Sequence, residues 1–511
     1  MGTIDQTPEK TMFFPTALHW LMVSVLFLLA FGVRVYYVNQ PNFDFNVNRQ
    51  YRSALIARAF YFEDNTSIPE WRREIAALNK QGILEPPIME LLVSNLYRLV
   101  GQEQLWVARL LSAIFWIIGG AFLYALATKI ISHDAALFAV AFYLFLPFGI
   151  TASLSFQPDS LMVMWLLFSL FMIVRYYEQP SMLRLVVAAL ISSIAMLVKP
   201  ICLFLIFGTF ISVAIYKQGF WKSLVNPKNF IFAIISVLPT AIFYIYGIFI
   251  DGFLRGQAQG SFIPALLLDS LYWRGWLFMI DGVIGSLALS AALLGLLMFR
   301  SGLSKTIMMG LWVGYVVFGL VFTFHIHTHD YYHLQLIPIV ALSLGPIGAL
   351  VLNRIGQVNQ GLLWRVVVLE IFLLAMILSV YQIRLKFIDL DSKAIETARE
   401  IGELVDHSPS ALYLDPYYGK TLQYYGEISG RWWPDSFQLR ANSLSGKPIM
   451  QAEERFEVLS SNQSPEYFIV THLRGLEQQQ DLKQFLSQFP IVAQNRDYII
   501  YDLKQSQGSE R

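Results

Sequence analysis

The chain has 511 residues, of which 56% are hydrophobic and 14% are charged. Soluble domains carry about 25% charged residues, so this composition excludes an ordinary soluble protein and indicates a polytopic membrane protein. The formal net charge is +1, which gives no bulk electrostatic basis for binding nucleic acid. Cys202 is the single cysteine, and a disulfide within the chain is therefore impossible.

Long apolar segments predict about eleven membrane spans, because a spanning helix needs about 20 mainly apolar residues. The first span lacks a small-residue cleavage site, so we expect an uncleaved helix and not a removed signal peptide. Within the stretch 182–217, Lys199-Pro200 predicts a tight turn between two helices. The predicted spans lie near 16–38, 104–128, 134–151, 159–177, 182–198, 200–217, 229–250, 275–299, 305–324, 332–352 and 362–383.

The distribution of Lys and Arg predicts a cytoplasmic N-terminus. With that orientation, basic residues such as Lys129, Lys222 and Arg300 lie in inward loops. The short outward turns at 151–157 and 325–331 contain neither Lys nor Arg. This positive-inside bias places both turns outside the cytoplasm.

Two outward segments are larger than turns. The first, 39–103, contains "VNRQYRSALIARAFYF", whose apolar residues recur at helical spacing and predict a helix in the plane of the membrane interface. The second begins near 389, where charge rises and no further span follows. There "ALYLD", "YFIVT" and "DYIIYDL" predict strands, and "DSKAIETAREIGELV" and "EQQQDLKQFLSQF" predict helices. We therefore predict a membrane domain, 1–388, and a small extracytoplasmic α/β domain, 389–511.

Four ionisable residues stand at the outer ends of apolar segments, where charge is costly unless it meets water, a partner or a ligand. For each of these residues a structural interpretation stands beside a functional one. The structural interpretation of Asp44 is a carboxylate that interacts with a helix N-terminus. The structural interpretation of Glu85, which precedes a proline pair, is an exposed acid in a loop. That of Asp159 is a helix cap. Lys199 has two open interpretations, which are snorkelling to the headgroups and binding of a lipid phosphate.

The segment "TFHIHTHDYYHLQLIPI" contains half of the eight histidines. In an extended strand, His325, His327 and His329 would point the same way and could reach one divalent metal ion. Imidazoles that share protons or face a phosphate are the alternative. His333 lies one helical turn beyond His329 and would share its face.

Two further patterns bear on cofactors. "DLD" at 389–391 resembles an Asp-x-Asp metal clamp, but it directly precedes a helical pattern and is more typical of a helix cap. No phosphate-binding or dinucleotide glycine signature occurs in a strand–helix context, so we expect no nucleotide cofactor. A divalent metal stays open as the one cofactor that the sequence suggests.

The ordered set "RQYRSALIAR", "EPPIMELLVSNLYRLVG", "LWVARLLSAIF", "FQPDSLMVMW", "LVKP" and "THDYYHLQLIP" resembles the polytopic GT-C glycosyltransferases. The likeness is to the bacterial branch related to protein O-mannosyltransferases and lipid A aminoarabinose transferases. The resemblance implies inverting transfer of a sugar from a polyprenyl-phosphate donor to a lipid, protein or glycan acceptor. The reaction would take place at the outer face of the bacterial cytoplasmic membrane.

The resemblance also assigns roles to residues. Asp44 matches the catalytic base of the family, although Phe45 follows it where relatives often carry a second acid. Asp159 matches the acid of the second outer turn, and Glu85 stands where some relatives carry Lys. The departing phosphate would be neutralised by Lys199, Arg255, Arg274 or His329. The substrate-binding set is completed by Asp330, Tyr332 and His333.

Two other classes remain as alternatives. A polysaccharide polymerase or ligase that uses an undecaprenyl-linked donor shares the chemistry, but it usually places its large outer loop late in the chain. A transporter would show charged or broken helices near the middle of the membrane, often in two related halves. Neither feature is visible in this sequence.

Overall fold

The computed structural model describes residues 12–256, 261–357, 361–387, 392–444, 448, 450–461 and 464–504. These residues form two compact units. The helical unit contains 12–40, 82–89 and 108–387, and the mixed unit contains 41–81, 90–107 and 392–504. Most of the first outer loop thus groups with the C-terminal segment, whereas the sequence suggests that it belongs to the membrane domain 1–388. The "DLD" motif at 389–391 lies outside the described residues.

Long apolar helices dominate the helical unit, and they confirm a multi-pass membrane protein. Among the described residues, eight helices are long and apolar enough to cross a membrane, or nine if one bent pair is a single span. All eleven predicted segments contain helix, but His133–Phe145 and Met182–Val198 are shorter than typical spans. The eight helices are Thr16–Tyr37, Leu105–Ile130, Asp159–Glu178, Pro200–Gln218, Pro227–Ile250, Leu303–Val321, Leu336–Gly356 and Gly361–Lys386.

Two predicted spans are broken. The segment near 275–299 forms Ser270–Ile284 and Ser286–Leu297, which meet at 92°. Gly285 lies between them with φ +80°, a conformation that an L side chain rarely adopts. The segment near 134–151 ends its first helix at Phe145, and Pro147–Ala152 forms a separate short helix with proline in its first turn.

A buried arginine stabilises the second break. Arg34 is fully buried, and it donates to Ser153 Oγ at 2.8 Å and to the Leu144 carbonyl at 3.1 Å. It also donates to the Ala30 carbonyl at 2.9 Å. The guanidinium therefore satisfies the Leu144 carbonyl, which a continuous helix would have paired internally.

Short elements complete the helical unit. The short α-helices are Phe220–Val225 and Thr323–Ile326. The 3₁₀ segments are Pro200–Cys202, Pro264–Leu268, Asp330–His333 and Arg384–Lys386, and Tyr246–Ile250 is a π-helical turn.

The mixed unit contains a five-stranded sheet with the order β2-β1-β3-β5-β4. β1 (Ala411–Leu414) pairs in parallel with β2 (Gly430–Trp432) and β3 (Tyr467–Val470). β5 (Ile499–Asp502) is antiparallel to both β3 and β4 (Ile491–Gln494). The three predicted strands correspond to β1, β3 and β5, which confirms the small C-terminal sheet region.

Helices surround this sheet, and buried apolar clusters cover both of its faces. Those after the membrane spans are Ser392–Leu404, Lys420–Tyr425, Ser436–Leu444, Ala452–Ser460, Leu473–Glu477 and Gln480–Leu486. The first-loop helices are Val47–Phe62, Glu70–Leu78 and Ile88–Val100, the last of which begins in the helical unit. Pro86 and Pro87 precede Ile88, as the sequence predicts for a helix start.

Helix Val47–Phe62 packs inside the mixed unit. Tyr51 OH lies 3.0 Å from Tyr425 OH, and Arg58 donates to the Tyr424 carbonyl at 2.6 Å. Arg58 Nε lies 3.0 Å from each carboxylate oxygen of Glu103. Most side chains of this helix are buried, and its predicted position in the membrane interface stays a prediction.

Candidate functional site

A buried ion pair joins two of the predicted site residues in the helical unit. Asp159 opens helix Asp159–Glu178, and Lys199 follows helix Met182–Val198 in extended backbone. Lys199 Nζ donates to Asp159 Oδ1 at 2.7 Å, and each side chain is no more than 2% exposed. Lys199 therefore does not snorkel, and the turn before Pro200 carries its ammonium to a carboxylate instead.

Polar atoms around this pair remain unsatisfied within the described part of the chain. Asp159 Oδ2 and both amide atoms of Gln157 are buried without a hydrogen-bond partner there. The same is true of both amide atoms of Gln335, three residues beyond Tyr332. Buried polar groups are normally paired, so this region is a costly arrangement of the kind that accompanies functional sites.

Aromatic and imidazole rings lie next to the ammonium. Lys199 Nζ lies 4.9 Å from the ring centroid of Tyr331 and 5.1 Å from that of Tyr332. The His325 ring stacks on Tyr332 at 4.8 Å, and the His329 ring lies 5.4 Å from His325. The structure thus brings together Asp159, Lys199, Tyr332, His325 and His329, five residues that the sequence singled out.

The other two histidines of the segment have structural contacts. His333 is fully buried, with Nδ1 2.6 Å from Tyr315 OH and Nε2 2.8 Å from the Ile326 carbonyl. Burial lowers the pKa of His333 to about 4, although the hydrogen bond to Ile326 opposes this shift. The predicted shared face with His329 is not formed, because the ring of His333 points into the helix packing.

The three alternating histidines do not form one ligand set. Nδ1 of His327 lies 2.7 Å from the Thr323 carbonyl, and its ring packs on Tyr272 at 5.4 Å. The segment is a short helix and a turn instead of an extended strand, so alternate residues do not share a side. Over the described ranges, no group of three His, Cys, Asp or Glu side chains is placed to hold a metal ion. His325, His327 and His329 therefore do not fit a common metal centre.

The remaining candidates of the helical unit are Glu85, Arg255, Arg274 and Asp330. Glu85 is half-buried, next to Leu84, whose carbonyl accepts from Tyr244 OH at 3.3 Å. Arg255 is exposed, and its Nε donates to the Ile248 carbonyl at 3.4 Å. Arg274 is exposed on helix Ser270–Ile284. Asp330 begins the 3₁₀ turn that carries Tyr331 and Tyr332.

Asp44 belongs to the mixed unit. It is 9% exposed, and Gln50 Nε2 donates to its Oδ1 at 3.3 Å. The same amide also donates to the carbonyls of Asn42 and Phe45. Asn46, in left-handed backbone with φ 40°, is the N-cap residue of helix Val47–Phe62. Asp44 therefore precedes the cap by two residues and is held by Gln50.

Sequence reasoning did not select Tyr331 or Gln50. Tyr331 stands next to Tyr332 in the histidine-rich segment, and this adjacency is the sequence signal that could have selected it, since lysine packs readily against aromatic faces. Gln50 had no such signal, because an amide on a predicted helix is typical of a solvent-exposed residue. Only the structure shows that the chain turns at Asn46 and that Gln50 contacts Asp44.

The fold that contains these residues is GT-C-like, and it is similar to that of two solved proteins. ArnT from Cupriavidus metallidurans, in a structure bound to undecaprenyl phosphate, is similar with a TM-score of 0.61 and 14% identity. That likeness covers 96% of this chain and 98% of ArnT. The oligosaccharyltransferase of Archaeoglobus fulgidus, in a complex with Zn and sulfate, is similar with a TM-score of 0.52 and 12% identity. The match covers 91% of this chain and 71% of that one.

A model of a glycosyltransferase family matches part of the chain. Residues 84–246 match the model described as dolichyl-phosphate-mannose-protein mannosyltransferase. No curated protein sequence matches the chain significantly. The resemblance inferred from the ordered motifs is thus confirmed.

Proposed function

We propose that this protein is a membrane glycosyltransferase that uses a sugar linked to a polyprenyl phosphate. The acceptor is a lipid, protein or glycan at the outer face of a bacterial cytoplasmic membrane. The observation that carries the proposal is the likeness to ArnT over 96% of this chain, in a structure that holds undecaprenyl phosphate. Lipid-linked donors suit an extracytoplasmic reaction, because no nucleotide sugars are supplied there.

Asp44 is the proposed base. The acceptor hydroxyl attacks the anomeric carbon, the bond from that carbon to the phosphate oxygen breaks, and Asp44 accepts the hydroxyl proton. The sugar becomes bonded to the acceptor oxygen with inverted configuration at the anomeric carbon. The polyprenyl phosphate departs with the bonding electrons. The hydrogen bond from Gln50 supports this role, because it orients the carboxylate of Asp44.

Positive side chains are proposed to stabilise the departing phosphate. Arg255 and Arg274 present exposed guanidinium groups, which bind phosphate readily in a bidentate manner. Lys199 is already neutralised by Asp159, so its contribution requires the phosphate to compete with that carboxylate. His329 and Tyr332 are proposed to contact the donor from the same neighbourhood as Lys199.

The test compares cell-envelope lipids and glycans by mass spectrometry with and without the gene. The transferred sugar should disappear without the gene and return with the parental protein. Asp44→Asn, which is nearly isosteric, should lower transfer from a polyprenyl-phosphate donor by about 100-fold or more. Asp64→Asn, at an exposed acid of the same unit, is the matched control and should retain parental activity. Parental activity of Asp44→Asn would end the assignment of the base.

A further inference from the structure

The basic turn, residues 216–230, joins the apolar helices Pro200–Gln218 and Pro227–Ile250 of the helical unit. Three of its lysines are exposed, namely Lys217, Lys222 and Lys228. No Asp or Glu occurs between Glu178 and Asp251 in the sequence. In the part of the chain that the structure describes, no carboxylate forms an ion pair with these lysines. The positive charge of the basic turn is therefore not neutralised by the described residues.

Basic residues of other predicted inward loops do have partners. Lys129 Nζ lies 2.9 Å from a carboxylate oxygen of Glu178, and Arg175 lies 3.9 Å from the same oxygen. Arg184 donates to the Gln179 carbonyl at 2.7 Å. The positive-inside rule requires Lys and Arg in inward loops but does not require that acids be absent. The composition of the basic turn therefore calls for a further explanation.

Side-chain hydrogen bonds give the basic turn a defined geometry. Asn226 Nδ2 donates to Gln218 Oε1 at 2.7 Å and joins the two ends of the turn. Asn229 Nδ2 donates to the Ser223 carbonyl at 2.8 Å. Gly219 ends the first helix with φ +82°, a conformation that lets the chain reverse there. The three lysines are thus carried on a fixed backbone around one turn.

The basic turn also exposes apolar side chains. Its six-residue helix, Phe220–Val225, buries Ser223 against the helical unit. Trp221 is 78% exposed and Val225 is 74% exposed. Six residues rise about 9 Å, which is far too short to cross a membrane. Exposed apolar surface of this kind is costly in water, and tryptophan is enriched where the acyl chains meet the headgroups. We therefore expect this helix to lie at the membrane interface.

We propose that the basic turn binds the headgroup of an anionic phospholipid. The three ammonium groups contact the phosphate oxygens, and Trp221 and Val225 contact the upper part of the acyl chains. Charge complementarity selects this occupant, because anionic leaflets attract clustered lysines and lysine stems can lie along apolar surface while the ammonium reaches the headgroup. A zwitterionic phospholipid carries its own cation and is a weaker ligand. This inference concerns the lipid around the protein and does not rest on the proposed transfer.

The test measures lipid retained by the full-length protein, with native mass spectrometry after release from detergent micelles. Phosphatidylglycerol is the anionic probe, and phosphatidylcholine with the same acyl chains is the zwitterionic one. The first phosphatidylglycerol should bind at least about fivefold more tightly than phosphatidylcholine. The triple variant Lys217→Gln/Lys222→Gln/Lys228→Gln should weaken it by at least about tenfold. Equal affinity of the parent for both lipids, or undiminished affinity in the triple variant, overturns the inference.

A matched variant tests whether the position of the charge matters. Arg300→Gln/Lys305→Gln/Arg354→Gln removes the same net charge from other predicted inward loops of the helical unit. It should bind phosphatidylglycerol as the parent does. Equal weakening in the two triple variants would show a general charge effect and would overturn the assignment to the basic turn.

Two further measurements test the apolar contact. Trp221→Gln/Val225→Gln keeps all three lysines and should weaken phosphatidylglycerol by at least about threefold. Glycerol 3-phosphate carries the phosphate without acyl chains, so a large excess of it should leave the bound lipid in place. Displacement by glycerol 3-phosphate, or parental affinity in the double variant, would overturn a lipid site and would leave a site for phosphate alone.

Discussion

Buried charge is the main residue-scale feature of the helical unit. Lys199 and Asp159 lie at the ends of different helices and neutralise each other at 2.7 Å. Desolvating two charges costs several kcal/mol for each ion, so such a pair gives little net stability. Breaking it is nevertheless severe, because the remaining charge is left buried and unpaired.

We expect Asp159→Leu to destabilise the protein by about 3–5 kcal/mol, because it leaves the Lys199 ammonium unpaired. The double variant Asp159→Leu/Lys199→Met should recover most of that loss. Glu178→Leu is the control, since its pair with Lys129 is partly exposed and should contribute about 0–1 kcal/mol. Thermal unfolding in detergent measures all three. A double variant no more stable than Asp159→Leu would contradict the argument.

A second residue-scale prediction concerns His333, whose pKa burial lowers to about 4. Between about pH 6.5 and 4 the unfolded chain binds a proton that the folded chain does not, so stability falls as pH falls. The loss should be on the order of 2 kcal/mol at pH 5. His333→Gln should show a smaller decrease in Tm from pH 7 to pH 5 than the parent. Tyr315→Phe keeps the imidazole and should retain the parental decrease; equal slopes in all three proteins would exclude the role of His333.

At the scale of elements, close backbone approach sets the packing of Pro200–Gln218 against Leu303–Val321. A Cβ on Gly208 would overlap with the Gly310 carbonyl oxygen, and a Cβ on Gly310 would overlap with the Gly208 carbonyl oxygen. Small residues allow membrane helices to approach in this way, and van der Waals contact then replaces the hydrophobic effect between them.

Gly310→Val should therefore force the two helices apart and cost about 1–3 kcal/mol. Gly32→Val is the matched control, because a Cβ at Gly32 meets no atom within 4 Å. The midpoint of thermal unfolding and the fraction of monodisperse protein in detergent report the effect. Equal stability of the two variants would mean that the helices can separate at no cost.

The element boundaries show which local sequence patterns were sufficient to predict a strand or a helix. The short apolar runs of β1, β3 and β5 were readable as strands, whereas Gly430–Trp432 and Ile491–Gln494 are short edge strands whose pairing depends on their neighbours. The 92° bend at Gly285 was hidden inside one continuous apolar run. Hydropathy measures the apolar length of a segment and not its direction.

At the scale of the whole molecule, the orientation in the membrane follows from the basic residues of the loops. In a Cys202→Ala background, we expect Thr328→Cys to react with a membrane-impermeant maleimide added to spheroplasts. Ser301→Cys, beside Arg300 in a predicted inward loop, should react only after permeabilisation. Both positions are exposed. Labelling in the reverse order would place the histidine segment in the cytoplasm and remove the proposed extracytoplasmic reaction.

The candidate site was only partly predictable at this scale. The sequence selected Asp159, Lys199, His325, His329 and Tyr332, and the structure places them together. Asp44 lies in the mixed unit, and its role as the base stays a proposal. The roles of Glu85, Arg255, Arg274 and Asp330 also stay proposals. The hydrogen bonds from Lys420 to Gln81 and Gln423 were not foreseen, because the two glutamines are far from each other in the chain.

The residue order alone predicted a multi-pass membrane protein, and its ordered motifs resemble those of the GT-C glycosyltransferases. Apolar length, the positions of prolines and the distribution of basic residues are properties of single segments. Each segment partitions between membrane and water according to its own composition, so these features can be read without the tertiary structure. Only the tertiary structure decided that Lys199 meets Asp159, that His333 bonds to Tyr315 and that the first outer loop packs with the C-terminal sheet. Those pairings depend on distances between segments far apart in sequence, and packing and hydrogen bonding select them once the chain has folded.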